Sequence, residues 1–210
     1  MSFSEYARLI YRIFFPGIIS QLKKDLSDCK NVLDLGCGFN SPIQYCDVPV
    51  KVGVDSFEPY LKQSKKKGIH NQYIKKDITK IEFEPKSFDA VVAIEILEHL
   101  SKKADLELFK KMEKWARKKV IVTTPNGFTY QDAYDNNPFQ AHRSGWTAEE
   151  FEKEGFKVLG MDGPKNLRGC KGKIRYKPAV LWLIISELAQ KITYFFPEKA
   201  FHLYAVKKIK

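Results

Sequence analysis

The sequence predicts an α/β fold, with a mostly parallel sheet and helices on both of its faces. Short apolar runs alternate with helical patterns along most of the chain, which is typical of parallel strands joined by right-handed crossovers. The run FDAVVAIE at 88–95 is almost entirely apolar, as expected for a strand that is buried on both faces of a sheet. With 210 residues the chain is long enough to bury the core of one domain.

Seven apolar runs are predicted as strands. In chain order they are NVLDLG (31–36), KVGVD (51–55), NQYIKKD (71–77), FDAVVAIE (88–95), KKVIVTTP (118–125), FKVLGMD (156–162) and AFHLYAVKK (200–208). Between the first five strands, helices are predicted near 41–46, 57–67 and 102–117. The order strand, helix, strand is what makes the sheet mostly parallel in this prediction.

Three further helices complete the prediction. A helix over 147–155 has clear ends: Thr147 caps its start, Glu150 completes a capping box and Gly155 terminates it. A long amphipathic helix, roughly 3–28, precedes the first strand and is expected to kink at Pro16-Gly17. The insert 164–199, which precedes the last strand, carries a basic stretch and then an amphipathic helix.

The composition indicates a soluble, reduced and basic protein. The net charge is +11, and many of the lysines stand in short runs spread along the chain. Such a surface attracts nucleic acid, anionic lipid or an acidic substrate, or it is simply a solvated lysine-rich surface. Its four cysteines show no metal-binding spacing, so we read them as free thiols. We find no signal peptide and no run apolar enough to span a membrane, and therefore expect a cytoplasmic location.

The turn after the first strand is the candidate ligand-binding loop. Gly36 and Gly38 let the backbone pass close to a ligand, and ligands of open parallel sheets bind at the carboxyl ends of the strands. A dinucleotide-binding turn would have glycine where Ser41 stands, and a phosphate-binding loop would end in Gly-Lys-Ser/Thr. The loop therefore suits a nucleoside better than a pyrophosphate. Asp55, at the end of the second strand, stands where an acid binds ribose hydroxyls.

Five motifs in the same order resemble those of class I S-adenosylmethionine-dependent methyltransferases. They are VLDLGCGFN, VGVD, KKDI, FDAVVAIEILEHL and VIVTTPNG, and they are most similar to the branch that modifies small molecules and glycans. The resemblance covers roughly 30–163 and also the last strand. It implies a Rossmann-like sheet of seven strands with an antiparallel last strand, and S-adenosylmethionine as the cofactor. Asn40 departs from the pattern, since many members have a third glycine there; asparagine tolerates the left-handed backbone of such a turn.

The same resemblance implies the cofactor-binding residues. Gly36 and Gly38 would lie near the methionine part of the cofactor, Asp55 would bind the ribose and Asp77 would lie near the adenine. The full set is Asp34, Gly36, Cys37, Gly38, Asn40, Asp55, Ser56, Asp77, Ile78 and Glu95. We accordingly divide a single methyltransferase domain, 1–210, into an N-terminal helical cap (1–29), a cofactor-binding core (30–163), the helical insert (164–199) and the last strand (200–210).

The segment EILEHL contains candidate catalytic groups. If a helical turn begins at Glu95, then Glu98 and His99 lie on the same face as Glu95, at i+3 and i+4. Such a set could hold a divalent metal or act as a base, and the alternative is that these residues have structural roles. His142 is the best lone base candidate because the pKa of an imidazole lies near neutrality. We assign His142, Glu98 and His99 to catalysis and assign no metal.

The acceptor is expected beyond the fifth strand, where aromatic residues are frequent. We assign Tyr130, Tyr134 and Trp146 to acceptor binding, and expect O-methylation of a small-molecule, glycan or lipid-linked acceptor. The small-RNA terminal 2′-O-methyltransferases are the alternative family, in which the matching residues Glu95, Glu98, His99 and His142 would hold a divalent metal. Contact with nucleic acid is not favoured, contact with a membrane surface is kept open, and the chain is expected to be a monomer or a homodimer.

Two other classes stay open as well. A non-catalytic cofactor-binding module would have the same fold and the same glycine loop. A dinucleotide-dependent oxidoreductase would also have a parallel sheet, but Ser41 and an antiparallel last strand speak against it.

Overall fold

The computed structural model describes residues 17–169 and 172–209, and they form one seven-stranded sheet. The strands are β1 (Asn31–Leu35), β2 (Val50–Asp55), β3 (Gln72–Lys75), β4 (Phe88–Ile94), β5 (Ala116–Pro125), β6 (Lys157–Pro164) and β7 (Ala200–Lys208). Their order across the sheet is β3-β2-β1-β4-β5-β7-β6. Strands β1 to β5 are parallel to one another, and β7 is antiparallel to both β5 and β6. The predicted fold class is therefore confirmed.

The described helices connect and cover these strands. They are α1 (Ile18–Leu26), α2 (Glu58–Lys67), α3 (Lys102–Trp115), α4 (Ala148–Lys153) and α5 (Ala179–Thr193). The capping box predicted for α4 is present, because the Thr147 hydroxyl accepts the Glu150 N–H and the Glu150 carboxylate accepts the Thr147 N–H. Gly155 follows the helix with φ +83°, which an L-residue with a side chain rarely adopts.

Several predicted boundaries were wrong. The short helix expected at 41–46 is a 3₁₀ turn over Pro42–Tyr45, and the helix expected at 102–117 ends at Trp115 because β5 begins at Ala116. Of the helix expected over roughly 3–28, the described part forms α1, which begins at Ile18. The rest of that helix and Pro16 lie outside the described residues.

Apolar side chains cover both faces of the sheet. On one face, Trp115 and Phe109 of α3 pack with Phe151 of α4 and with apolar residues of β4 and β5. On the other face, Leu22 and Leu26 of α1 pack against side chains of β1, β4 and β7. Because the sheet is covered in this way, its open region is the edge formed by the carboxyl ends of the parallel strands.

Helix α5 packs on the outer strand β6 through close backbone contact. A Cβ atom on Gly160 would lie 2.0 Å from the Thr193 carbonyl oxygen, and one on Gly163 would lie 2.3 Å from the Ser186 hydroxyl. Two glycines on the strand therefore allow the helix to approach it. No helix among residues 17–169 and 172–209 is long and apolar enough to cross a lipid bilayer.

Candidate active site

A cleft of about 600 Å³ opens at the carboxyl ends of the parallel strands. The loops after β1, β2, β3 and β4 form one side of it, and the segment between β5 and α4 contributes the other. Nine of the ten residues assigned to the cofactor from the sequence line this cleft. They are Gly36, Cys37, Gly38, Asn40, Asp55, Ser56, Asp77, Ile78 and Glu95.

The glycine loop has the left-handed backbone that its sequence predicts. Gly36 has φ +67° and Gly38 has φ +54°. A Cβ atom on Gly36 would lie 2.1 Å from the Cδ1 atom of Ile96, whereas one on Gly38 would meet nothing within 4 Å. Gly36 is thus needed for packing inside the protein, and the position of Gly38 leaves open space beside the loop for a ligand.

Asp55 holds this loop in place through its carboxylate. One carboxylate oxygen accepts the Gly38 N–H at 2.8 Å, and the other accepts the Phe57 N–H at 2.8 Å. Burial raises the pKa of Asp55, and these backbone N–H groups partly oppose the rise. A carboxylate offers about four acceptor positions, so about two remain for donors from a ligand.

Asp77 lines the cleft after β3. Its Oδ1 atom accepts both the backbone N–H and the hydroxyl of Thr79, at 2.9 and 2.7 Å. The loop after β3 is therefore fixed by a local side-chain turn, which orients the carboxylate of Asp77 at the cleft wall.

Asp34 is the one assigned cofactor residue that does not line the cleft. Its side chain is buried, and its Oδ2 atom lies 2.8 Å from Nε2 of the buried His70. This corrects the expected contact with the cofactor. Asp34 instead stabilises the interior behind the loop, where the imidazole of His70 also lies against Gly53 of β2.

Glu95 is held by a histidine that the sequence analysis missed. Nε2 of His202 lies 3.2 Å from the Glu95 carboxylate, and Nδ1 of His202 lies 2.6 Å from the carboxylate of Asp162. Burial alone would lower the pKa of His202, but the charge of Glu95 and the contact with Asp162 outweigh it and raise the pKa to about 10. His202 is therefore a cation between two carboxylates at neutral pH.

Glu95 also has φ +55°, which is unusual for a residue with a side chain. The helical turn expected to begin at Glu95 is therefore absent. A 3₁₀ turn begins two residues later, over Leu97–His99, and Glu95 points to His202 and Thr123 instead of joining Glu98. The prediction that Glu95, Glu98 and His99 share one face of a helical turn was therefore wrong for Glu95.

The three residues assigned to catalysis do come together. One carboxylate oxygen of Glu98 and one ring nitrogen each of His99 and His142 all lie within 4.8 Å of one another. The backbone explains this: the carbonyl of Glu98 accepts the N–H groups of Arg143 and Ser144, which fixes the segment around His142 against the turn after β4. Of the three side chains, His99 lines the cleft and Glu98 is buried behind it.

The ring orientation of both histidines leaves Nε2 available. Nδ1 of His99 lies 3.3 Å from the carbonyl oxygen of Ala141, and Nδ1 of His142 lies 2.6 Å from that of Thr129. A carbonyl oxygen only accepts hydrogen bonds, so in each neutral imidazole Nδ1 carries the proton and Nε2 has a free lone pair. Burial lowers the pKa of His99, which favours this neutral form.

Burial raises the pKa of Glu98 well above its usual value, and the nearby charge of Glu95 adds to the rise. The Thr124 hydroxyl donates a hydrogen bond to Glu98 at 3.0 Å. A cation or a proton beside this carboxylate would therefore be stabilised. The cluster can act as a base, bind a hydroxyl group or hold a metal ion.

The acceptor side differs from the prediction. Tyr134 lines the cleft as expected, but Tyr130 is 71% exposed and does not. Trp146 is buried in the core, where its Nε1–H donates to Asp105 at 2.8 Å, so its assignment to acceptor binding was wrong. Arg143, which we did not assign, lines the cleft in its place.

These features fit a nucleoside cofactor that has no phosphate. Asp55 has acceptor positions for sugar hydroxyls, and the glycine loop leaves open space beside it. The loop carries no lysine positioned as in a phosphate-binding loop, and its residues 36–41 read GCGFNS.

Comparison with known proteins agrees with this geometry. Residues 33–124 match the family model described as a methyltransferase domain. This stretch runs from β1 to β5 and includes the loops after β1 to β4 that line the cleft. A search of curated protein sequences finds no match for the chain.

Several solved structures share the fold. A SAM-dependent methyltransferase from Archaeoglobus fulgidus is 19% identical with a TM-score of 0.57, covering 96% of this chain and 99% of its own. The methyltransferase domain of bacterial CtHen1 is 20% identical with a TM-score of 0.55, covering 91% and 97%. The magnesium protoporphyrin IX methyltransferase from Synechocystis PCC 6803, solved with bound SAM, is 15% identical with a TM-score of 0.51, covering 90% and 76%.

The chain thus has the fold of solved SAM-dependent methyltransferases, and its stretch from β1 to β5 matches a methyltransferase domain, as the sequence motifs implied. S-adenosylmethionine bound in the cleft would supply an electrophilic methyl group on a sulfonium sulfur. The residues that would hold it are those of the glycine loop, Asp55 and the loop of Asp77.

Proposed function

We propose that the chain is an S-adenosylmethionine-dependent methyltransferase that methylates a hydroxyl oxygen of a small-molecule or glycan-like acceptor, including lipid-linked glycans. The observation that carries this proposal is the neutral imidazole of His99 on the cleft wall, with its Nε2 lone pair free. A hydroxyl group remains protonated until it attacks, so its methylation benefits from a nearby base. His99 would accept that proton, with Glu98 and His142 beside it in the same polar cluster.

His142 takes a different role from the one predicted for it. It does not line the cleft, but its ring centroid lies 5.0 Å from that of His99. We assign it to positioning His99 and to completing the polar cluster. Tyr134 and Arg143 would contact the acceptor at the open side of the cleft, where an arginine suits hydroxyl-rich or anionic groups.

Methyl transfer from labelled S-adenosylmethionine to a panel of saccharides and lipid-linked saccharides tests the proposal. We expect label in a product that resists mild alkali, as an ether does and a methyl ester does not. His99→Gln should lower kcat by about 10²–10⁴-fold, the usual contribution of a general base, with little effect on cofactor affinity. Asp132→Asn, on the exposed loop, serves as the control. Label found only in amines or carboxyl groups would refute the proposal, as would full activity of His99→Gln.

Metal-dependent 2′-O-methylation of RNA is the second candidate. It is favoured by the cluster of Glu98, His99 and His142, because two imidazoles and a carboxylate are suitable metal ligands. The basic net charge of +11 is consistent with an RNA substrate. Against it, Glu95 pairs with His202 and Thr123, so only three of the four matching residues are grouped.

Calorimetry with Mn²⁺ separates the two candidates. The RNA candidate predicts that Mn²⁺ binds at one site per chain and that Glu98→Gln and His142→Ala each abolish this binding. It also predicts methylation of RNA that stops when the metal is chelated. Activity on saccharides that persists under chelation would favour the first candidate and exclude the second.

A further inference from the structure

Helix α5 carries its apolar residues on the outside. The residues that it buries are polar: Ser186, Gln190 and Thr193. The outward residues are apolar, and each is between 37% and 70% exposed: Val180, Leu181, Leu183, Ile184, Ile185, Leu188 and Ile192. A helix on the surface of a soluble protein normally has the opposite arrangement. An apolar face of this length indicates a binding surface.

The orientation of the helix is fixed by hydrogen bonds. The side-chain amide of Gln190 donates to the Gly160 carbonyl at 3.0 Å and accepts the Gly163 N–H at 2.6 Å. Turning the apolar face inward would leave these buried polar groups of β6 without partners, which is unfavourable. The outward face is therefore a stable feature of the fold.

Basic residues are frequent in the sequence on either side of the apolar helix and at its end. Between 165 and 199 the acidic residues are Glu187, which pairs with Arg168 at 3.3 Å, and Glu198. Among the residues of this segment that the structure describes, the lysines and arginines form what we call the basic margin: Lys165, Arg168, Lys173, Arg175, Lys177, Lys191 and Lys199. An apolar helix face with a cationic margin is complementary to the surface of an anionic lipid bilayer.

The helix also points toward the cleft edge of the sheet. Thr193 packs on Gly160 and Ser186 packs on Gly163, so α5 runs antiparallel to β6. Residues 179–185 precede Ser186 and extend about 10 Å further at 1.5 Å per residue. They do so in the direction in which β6 ends, which is the edge where the cleft opens.

We propose that α5 and its basic margin bind the headgroup region of an anionic membrane, with the outward leucines and isoleucines in the outer part of the hydrocarbon. A second copy of the chain is a poorer occupant. A two-fold dimer through this face would bring the basic margin against itself, and like charges would oppose the contact. Membrane binding at this position would place the cleft near the surface that carries lipid-linked acceptors. The inference itself does not depend on the identity of the acceptor.

Sedimentation with vesicles tests the proposal on the full chain without cofactor or acceptor. We expect binding to vesicles of equal parts phosphatidylglycerol and phosphatidylcholine, weaker binding to phosphatidylcholine alone, and weakening in 0.5 M NaCl. The variant Leu181→Ser/Ile184→Ser/Leu188→Ser should lose roughly tenfold or more in affinity. The matched control Val50→Ser/Leu106→Ser alters two exposed apolar residues elsewhere and should bind as the wild type does.

The basic margin is tested separately. Lys173→Glu/Arg175→Glu should weaken binding to the anionic vesicles roughly tenfold or more, whereas Lys65→Glu/Lys66→Glu, on α2 near the opposite edge of the sheet, should not. Failure of the wild-type chain to bind anionic vesicles would overturn the proposal. So would an equal loss in the control variants, or a solution dimer that the triple serine variant dissociates.

Discussion

The ion pair of His202 leads to a specific prediction for the pH dependence of stability. The pKa of His202 is raised from 6.5 to about 10 in the folded protein, because Glu95 and Asp162 outweigh the effect of burial. A group whose pKa is higher in the folded state stabilises the protein fully below its unfolded pKa. This stabilisation is then lost as the pH rises from about 6.5 to about 10.

The size of the effect follows from the shift. A difference of about 3.5 pKa units corresponds to at most about 5 kcal/mol at 1.36 kcal/mol per unit. His202→Gln can still donate a hydrogen bond, but it carries no charge. Between pH 6.5 and 10 the free energy of unfolding of this variant should therefore decrease less steeply than that of the wild type. The two slopes should differ by at most the contribution of one titrating proton, about 1.36 kcal/mol per pH unit.

Urea denaturation monitored by tryptophan fluorescence at several pH values measures this difference. Buried thiols and phenols also titrate in the alkaline range, but they are common to both proteins and cancel in the comparison. Asp162→Asn removes one of the two carboxylates and should give an intermediate slope. Parallel curves for the wild type and His202→Gln would show that the imidazole is not held as a cation, and would refute the account of Glu95 as one half of an ion pair.

Two further substitutions test the interior and the loop. Burial raises the pKa of Asp105 to about 7, so the folded state binds a proton that the unfolded state does not bind between about pH 7 and pH 4. The free energy of unfolding should therefore rise by up to about 4 kcal/mol as the pH falls through this range. Asp105→Asn should reduce this rise in denaturation curves measured at several pH values, and the same pH dependence in the variant and the wild type would contradict the prediction. Gly36→Ala should lower the free energy of unfolding by about 1–2 kcal/mol and weaken cofactor binding, because φ at this position is +67° and the new Cβ would meet Ile96. Equal denaturation midpoints for the variant and the wild type would refute the role assigned to the loop.

The order of motifs was enough to predict the sheet and most of the cofactor side of the cleft. Glycines with positive φ and an acid at the end of β2 are local features of the sequence, and their positions follow from where the strands end. Gly36, Gly38 and Asp55 were placed correctly at the cleft for this reason. The boundaries of β3 and β5 were less accurate: β3 is shorter than predicted and β5 begins earlier, and the lysines in both strands weaken the apolar pattern.

The acceptor side was harder because it depends on long-range contacts. Trp146 looked like a pocket residue among polar neighbours, but its buried partner Asp105 comes from α3, and no local pattern links the two. His202 lies within the last strand, and its partners come from two other parts of the chain: Glu95 directly follows β4, and Asp162 lies within β6. Glu95 was expected in a helical turn, which its pairing with His202 and its positive φ replace.

We propose, as the central claim, that Asp55 binds the sugar of the cofactor, and calorimetric titration with S-adenosylmethionine tests it most directly. Asp55→Asn should bind roughly ten- to hundredfold more weakly than the wild type, since hydrogen bonds to a charged group contribute about 1.5–3 kcal/mol. The matched control is Asp47→Asn, which alters an exposed acid outside the cleft and should bind as the wild type does. Equal affinity of Asp55→Asn and the wild type, or no measurable binding by the wild-type chain, would contradict the account.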